Sequence, residues 1–114
     1  NIHVYGASGK EQDHFLGNLH TALQWQKKLN ITFLDDYGRY FFGDKEMVLS
    51  NCLNKTVSLL PFPTATKITT QGLLYPLQNE TLTFGAKIGT RNKATKKEVN
   101  ISFETGELLI FMHH

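Results

Sequence analysis

At 114 residues, 40% hydrophobic, 11% aromatic and 19% charged, the chain has room for one domain and enough apolar surface to build a core, which excludes intrinsic disorder. A single cysteine, Cys52, excludes an internal disulfide framework and any zinc site that needs several thiolates. A formal charge of +2 is too weak to announce a nucleic-acid or membrane-surface protein, and no apolar run approaches the roughly 20 residues of a spanning helix.

Residues 1–8 carry no helical pattern, and Val4-Tyr5-Gly6 reads as an extra strand or as a remnant. From Gly9 to Leu29 the apolar residues Phe15, Leu16, Leu19, Ala22, Leu23, Trp25 and Leu29 recur at spacings of three and four, which predicts an amphipathic helix over 9–29. Ser8-Gly9-Lys10-Glu11 has the form of a capping box, Lys27 and Lys28 favour the negative end of the dipole, and Asn30 ends the run. Trp25 is expected to anchor the helix on the rest of the protein.

Beyond Asn30 the period becomes two, and Gly, Pro, Asn and Asp punctuate the chain at short intervals. Antiparallel strands are predicted within 31–112, at Ile31–Leu34, Arg39–Phe42, Met47–Asn51, Thr56–Leu60, Lys67–Leu74, Thr81–Phe84, Val99–Phe103 and Glu107–Met112. Asp35-Asp36-Tyr37-Gly38 predicts a hairpin turn between the first two, held by local side-chain to backbone hydrogen bonds, and Thr105-Gly106 is expected to close the last hairpin. Pro61-Phe62-Pro63 predicts an extended corner between two strands. The expected fold class is α+β: one domain over 1–114, an N-terminal amphipathic helix laid on an antiparallel β-sheet, with His113-His114 read as a tag remnant.

No constellation for catalysis emerges. The five histidines do not sit at metal-ligand spacings, so no metal is expected. Cys52 has no helix start or histidine beside it to activate the thiol, and no glycine-rich phosphate loop occurs. The expectation is no enzyme and no cofactor.

Two features stand above background. Between residues 86 and 98, Lys87, Arg91, Lys93, Lys96 and Lys97 outweigh Glu98 and give a local charge of +4, against −2 for the remainder. This segment is expected to be an exposed loop, and its functional reading is a contact to the DNA phosphate backbone. The second feature is four Asn-x-Ser/Thr triplets, at Asn30, Asn54, Asn79 and Asn100. With eight asparagines and 16 serines plus threonines, chance supplies about one such triplet. In a secreted eukaryotic or viral protein these would be glycosylation sites.

The helical segment Phe15-Leu16-Gly17-Asn18-Leu19-His20-Thr21-Ala22-Leu23 runs closely into Asn30-Ile31-Thr32-Phe33. Later come Thr81-Leu82-Thr83-Phe84-Gly85 and Val99-Asn100-Ile101-Ser102-Phe103-Glu104-Thr105-Gly106-Glu107-Leu108. This order resembles the head of type IV pilin-like subunits, especially minor pseudopilins of the competence and type II secretion kind. The resemblance implies a non-catalytic structural subunit of a pilus-like filament at the cell surface, serving DNA uptake or protein secretion. It implies other pilin-like subunits as partners, DNA as a further one, no small-molecule substrate, and membrane contact only through an apolar N-terminal helix that this sequence lacks. Two alternatives stay open: a secreted or viral N-glycosylated β-rich module that binds a protein partner, and, lower, a cystatin-like inhibitor without the expected hairpin motif.

Overall fold

The computed structural model describes residues 2–5, 12–25 and 31–114. The capping box, Lys27, Lys28 and Asn30 lie outside the described residues. The chain forms β1 (Ile2–Tyr5), α1 (Gln12–Trp25), β2 (Ile31–Leu34), β3 (Gly38–Phe42), β4 (Glu46–Leu49), β5 (Thr56–Gln71), β6 (Glu80–Thr83), β7 (Gly89–Lys93), β8 (Val99–Ser102) and β9 (Thr105–His113).

The strands hydrogen-bond in the order β1-β2-β3-β9-β5-β8-β4, with β6 and β7 also paired to β5. Among the described residues only the β1–β2 pair is parallel. The sequence predicted two strands separated by the Pro61-Phe62-Pro63 corner; the structure has one strand of 16 residues that runs through it. Its pairing with β9 shifts register between Pro61 and Ala65, so the prolines fall where the ladder is already interrupted. Below the shift β5 pairs β7 and β9, above it β6, β8 and the first residues of β9, and the sheet curls around this strand into a half-barrel.

Strand β9 shows why the sheet has two cores. Leu108, Ile110 and Met112 point into the curl with Val57, Leu59, Ile68, Val99 and Ile101. Leu109 and Phe111 point to the other side, where they meet Phe33, Tyr40 and the helix residues Phe15, Leu19 and Ala22. Alternation along one strand therefore feeds two clusters, and each large apolar side chain so buried contributes about 1.5–3 kcal/mol. On the helix side Tyr40 lies between Phe33 and Phe111, at ring-centroid distances of 5.0 and 5.2 Å, with Phe15 edge-on at 5.3 Å.

The α+β expectation is corrected: the architecture is a mostly antiparallel curled sheet, and the short helix covers one patch of its outer side. Trp25 is 41% exposed, and the buried contact is made by Phe15, Leu19 and Ala22. The Asp35–Gly38 turn joins β2 and β3 as predicted, with Asp35 Oδ1 accepting from the amides of Tyr37 (2.8 Å) and Gly38 (3.0 Å). Thr105-Gly106 closes no hairpin. Strands β8 and β9 each pair with β5, and Gly106 packs on the Thr64 carbonyl.

Candidate functional site

The connection from β5 to β6 spans residues 72–79 and is fixed rung by rung to β7 and to the turn after it. Gly72 opens it with a φ of +94°, and a Cβ there would stand 2.6 Å from the Glu98 carbonyl, so the position requires glycine. The Thr95 amide donates to Gly72 O at 2.8 Å, and the Leu74 amide donates to Lys93 O at 2.8 Å. Asn92 makes the third rung. Its Oδ1 accepts from the Tyr75 amide at 3.0 Å, and its Nδ2 donates to Tyr75 O at 2.7 Å. The same Oδ1 accepts from the Lys93 amide at 2.9 Å. At the far end, Thr70 Oγ1 accepts from the Leu77 amide at 2.9 Å, and the Thr70 amide donates to Leu77 O at 2.9 Å.

Asn92 is 7% exposed, and its side-chain amide takes both backbone groups of one residue, as a strand partner would. The consequence is a loop whose backbone is held while its apolar side chains face out: Leu74 is 50% exposed and Tyr75 67%. The neighbouring Arg91 adopts a left-handed φ of 55°, and its amide donates to Ser58 Oγ on β5 at 2.9 Å. Alternation along β7 turns Asn92 inward and leaves Arg91 and Lys93 exposed beside the loop. A fixed exposed tyrosine with flanking cations can stack on a flat heteroaromatic ring and hydrogen-bond its substituents.

The predicted basic loop is therefore not a loop along its length. Gly89–Lys93 is strand β7, and Ala94 is fully buried and bridges Leu73. Lys87 forms an ion pair with Glu80, and this hydrogen bond, with one from the Gln78 amide, holds the Glu80 carboxyl below its usual range. Arg91, Lys93, Lys96 and Lys97 are exposed, the first two on β7 and the last two in the turn before β8. Of the four triplet asparagines, Asn54 (φ 68°) and Asn79 (φ 53°) occupy exposed turn positions, Asn100 is exposed on β8, and Asn30 is outside the described residues. Cys52 is fully buried, its Sγ 3.5 Å from Met112 Sδ, and burial pushes its thiol pKa up. Among the described residues no group of three or more His, Cys, Asp or Glu is arranged to hold a metal.

Sequence reasoning missed Tyr75 and Asn92. Asn92 sits within a charge run that masks it, and the sole local hint is the glycine before the Leu73-Leu74-Tyr75-Pro76 stretch.

The fold first defines a class: a curled antiparallel half-barrel whose exposed aromatic surface is carried by a latched inter-strand loop. Residues 44–108 match the family model for the thiamin pyrophosphokinase vitamin B1 binding domain. The curated thiamine pyrophosphokinase of Bacillus subtilis is 28% identical over 113 residues, an alignment that covers 96% of this chain and 53% of that protein. The crystal structure of a Bacillus subtilis thiamine pyrophosphokinase superposes with a TM-score of 0.89 at 25% identity, covering 98% of this chain and 55% of the other. That of Geobacillus thermodenitrificans gives 0.87 at 24% identity, covering 99% and 54%. The matched segment is more than half of the chain, and the chain belongs to the family of the thiamin pyrophosphokinase vitamin B1 binding domain. It spans about half the length of the curated relative it matches.

This finding overturns the pilin-like reading and, with it, the filament subunit, the competence and secretion roles and the pilin-like partners, and it gives no support to the glycosylated binding module. The expectations of no enzyme and no small-molecule substrate fall on the same ground, because the relatives bear the name of an enzyme, a pyrophosphokinase. A helix followed by alternating strands is common to many folds, and hydrophobic alternation alone does not carry topology.

Proposed function

We propose that this chain is the thiamine-recognising part of a thiamine pyrophosphokinase, and that the latched loop around Tyr75 forms the recognition surface. The observation that carries the reading is the match of residues 44–108 to the vitamin B1 binding domain, a segment that contains Tyr75, Arg91, Asn92 and the strands that hold them. Thiamine pairs a flat aminopyrimidine with a cationic thiazolium. An exposed tyrosine ring attracts both, by offset stacking and by its negative face. Asn92 fixes the backbone that bears the ring, so the loop does not lose its freedom on binding, and the ordering cost stays low. In pyrophosphoryl transfer the protein acts mainly by positioning and by stabilising charge. On this reading Tyr75 orients the acceptor, while Arg91 and Lys93 offer exposed positive charge beside it.

Isothermal titration with thiamine tests the proposal. Loss of one stacked aromatic or cation–π contact is worth about 1–2 kcal/mol, so Tyr75→Ala weakens binding by about 5- to 30-fold and Tyr75→Trp preserves it. Equal affinity in wild type and Tyr75→Ala would remove Tyr75 from the site.

A further inference from the structure

A cleft of about 1050 Å³ is lined by β1–β3, by the segment that leads through β4 to Ser50, and by Ala22 of α1 and Gly106 and Glu107 of β9. Thr32, Leu34, Arg39 and Phe41 line it from the face opposite Phe33 and Tyr40, together with Met47 and Leu49, and Ala22, Ile31 and Phe42 of the helix side reach it as well.

Arg39 is the anomaly in this wall. It is half-buried, and its Nε is shielded from solvent with no hydrogen-bond partner. Its Nη2 lies 3.9 Å from Met112 Sδ, a weak acceptor. Among the described residues no carboxylate comes within ion-pairing distance of it, although Asp44 and Glu107 also line the cleft. Its positive charge is felt at the buried Cys52 thiol, where it opposes the effect of burial. Lys45 is committed elsewhere, since its Nζ donates to Gly106 O at 2.8 Å and sits 4.5 Å from the centre of the Phe103 ring.

A guanidinium carries five donors in a planar fork that matches the two oxygens of a carboxylate or phosphate, and leaving it shielded and unpaired is costly. We propose that the cleft takes a small organic anion, whose carboxylate or phosphate group accepts paired hydrogen bonds from Arg39 and whose apolar body lies along Leu34, Phe41 and Met47. Arg39 precedes the segment matched to the vitamin B1 binding domain, whereas Asp44 to Ser50 and Glu107 of the cleft lie within it, and none of the residues that line the cleft belongs to the Tyr75 loop or to β7. The anion site is therefore separate from the proposed thiamine surface and does not depend on it.

The test is a titration of the protein with phenyl phosphate and with phenylacetate, and with benzyl alcohol as the neutral control. It is followed by the NMR resonance of the Arg39 Nε–H group and by calorimetry. The expected result is saturable movement of that resonance with one or both anions and none with the alcohol; the anion that acts identifies the headgroup. Arg39→Met, which keeps the length and removes the fork, weakens the binding at least about tenfold, the loss expected for a charge-assisted paired contact. Arg39→Lys retains part of it. Thiamine affinity stays unchanged in both variants. A resonance that neither anion moves, or anion affinity in Arg39→Met within twofold of wild type, overturns the proposal. Should Arg39→Met fail to fold, the wild-type resonance and Arg39→Lys still decide.

Discussion

Replacing Asn92 with alanine separates the scaffold from the loop that it holds. The side chain makes three hydrogen bonds, two to the Tyr75 backbone and one to the Lys93 amide. A typical intramolecular bond contributes about 1 kcal/mol net, which bounds the loss near 3 kcal/mol. Tyr75 is exposed, so water can reach its backbone groups once the clamp is gone, and about 2 kcal/mol is the better expectation. For a domain of this size that lowers Tm by about 8 °C, read by calorimetry. The remaining rungs, at Gly72, Leu74 and Leu77, keep the strands in place. Thiamine affinity falls with the share of molecules in which Tyr75 is still held, by about tenfold if the held form drops to a tenth. Asn92→Asp keeps the acceptor for the Tyr75 and Lys93 amides and sets a carboxylate against the Tyr75 carbonyl. The Asn92→Asp variant therefore regains stability and binding as pH falls and the protonated carboxyl becomes a donor. Wild-type thiamine affinity in Asn92→Ala, alongside the drop in Tm, would refute the positioning argument.

Gly106 has a φ of +89°, and a Cβ there would overlap the Thr64 carbonyl; Gly106→Ala must move backbone at the β5–β9 junction and should cost more than about 3 kcal/mol, measured by denaturant unfolding. Glu80 has its carboxyl pKa lowered by Lys87, so its small contribution is present above the ordinary carboxylate value of 4.5 and is lost as pH falls below it. Glu80→Gln and 1 M salt should both flatten that acid limb of the stability curve. The Cys52 thiol has its pKa raised by burial, so it stays neutral in the folded state while the unfolded chain ionises from its ordinary value of 9.0 upward. Its contribution is complete below that pH and is lost above it, and alkylation of Cys52 at pH 8 should proceed only through the opened state, at the rate of an unfolded thiol scaled by the population of that state.

Much of the sheet is legible in the sequence, because strands such as Val99–Ser102 alternate a buried face, Val99 and Ile101, with the wetter Asn100 and Ser102. The β2–β3 turn is legible too, since Asp35 supplies its own acceptor. Strand β7 is not. Its inward position is a polar Asn92, buried because it satisfies another backbone, and period-two hydrophobicity cannot register that. The 16-residue β5 is hidden by its prolines, which are tolerated only because the pairing shifts register at that point. The parallel β1–β2 pair and the placement of β8 and β9 on either side of β5 depend on contacts distant in sequence, which local patterns do not encode. For the same reason a helix feeding alternating strands suggests a filament subunit, although the buried contact of that helix rests on Phe15, Leu19 and Ala22 rather than on the 41% exposed Trp25.

The central claim, that thiamine docks on the loop latched by Asn92, is tested most directly by mapping backbone amide shifts on adding thiamine. Docking on that loop produces saturable shifts concentrated at Leu74, Tyr75 and Leu77 and at Arg91, Asn92 and Lys93, with the Arg39 cleft silent. Shifts confined to other parts of the sheet, or none at saturating thiamine, would contradict it.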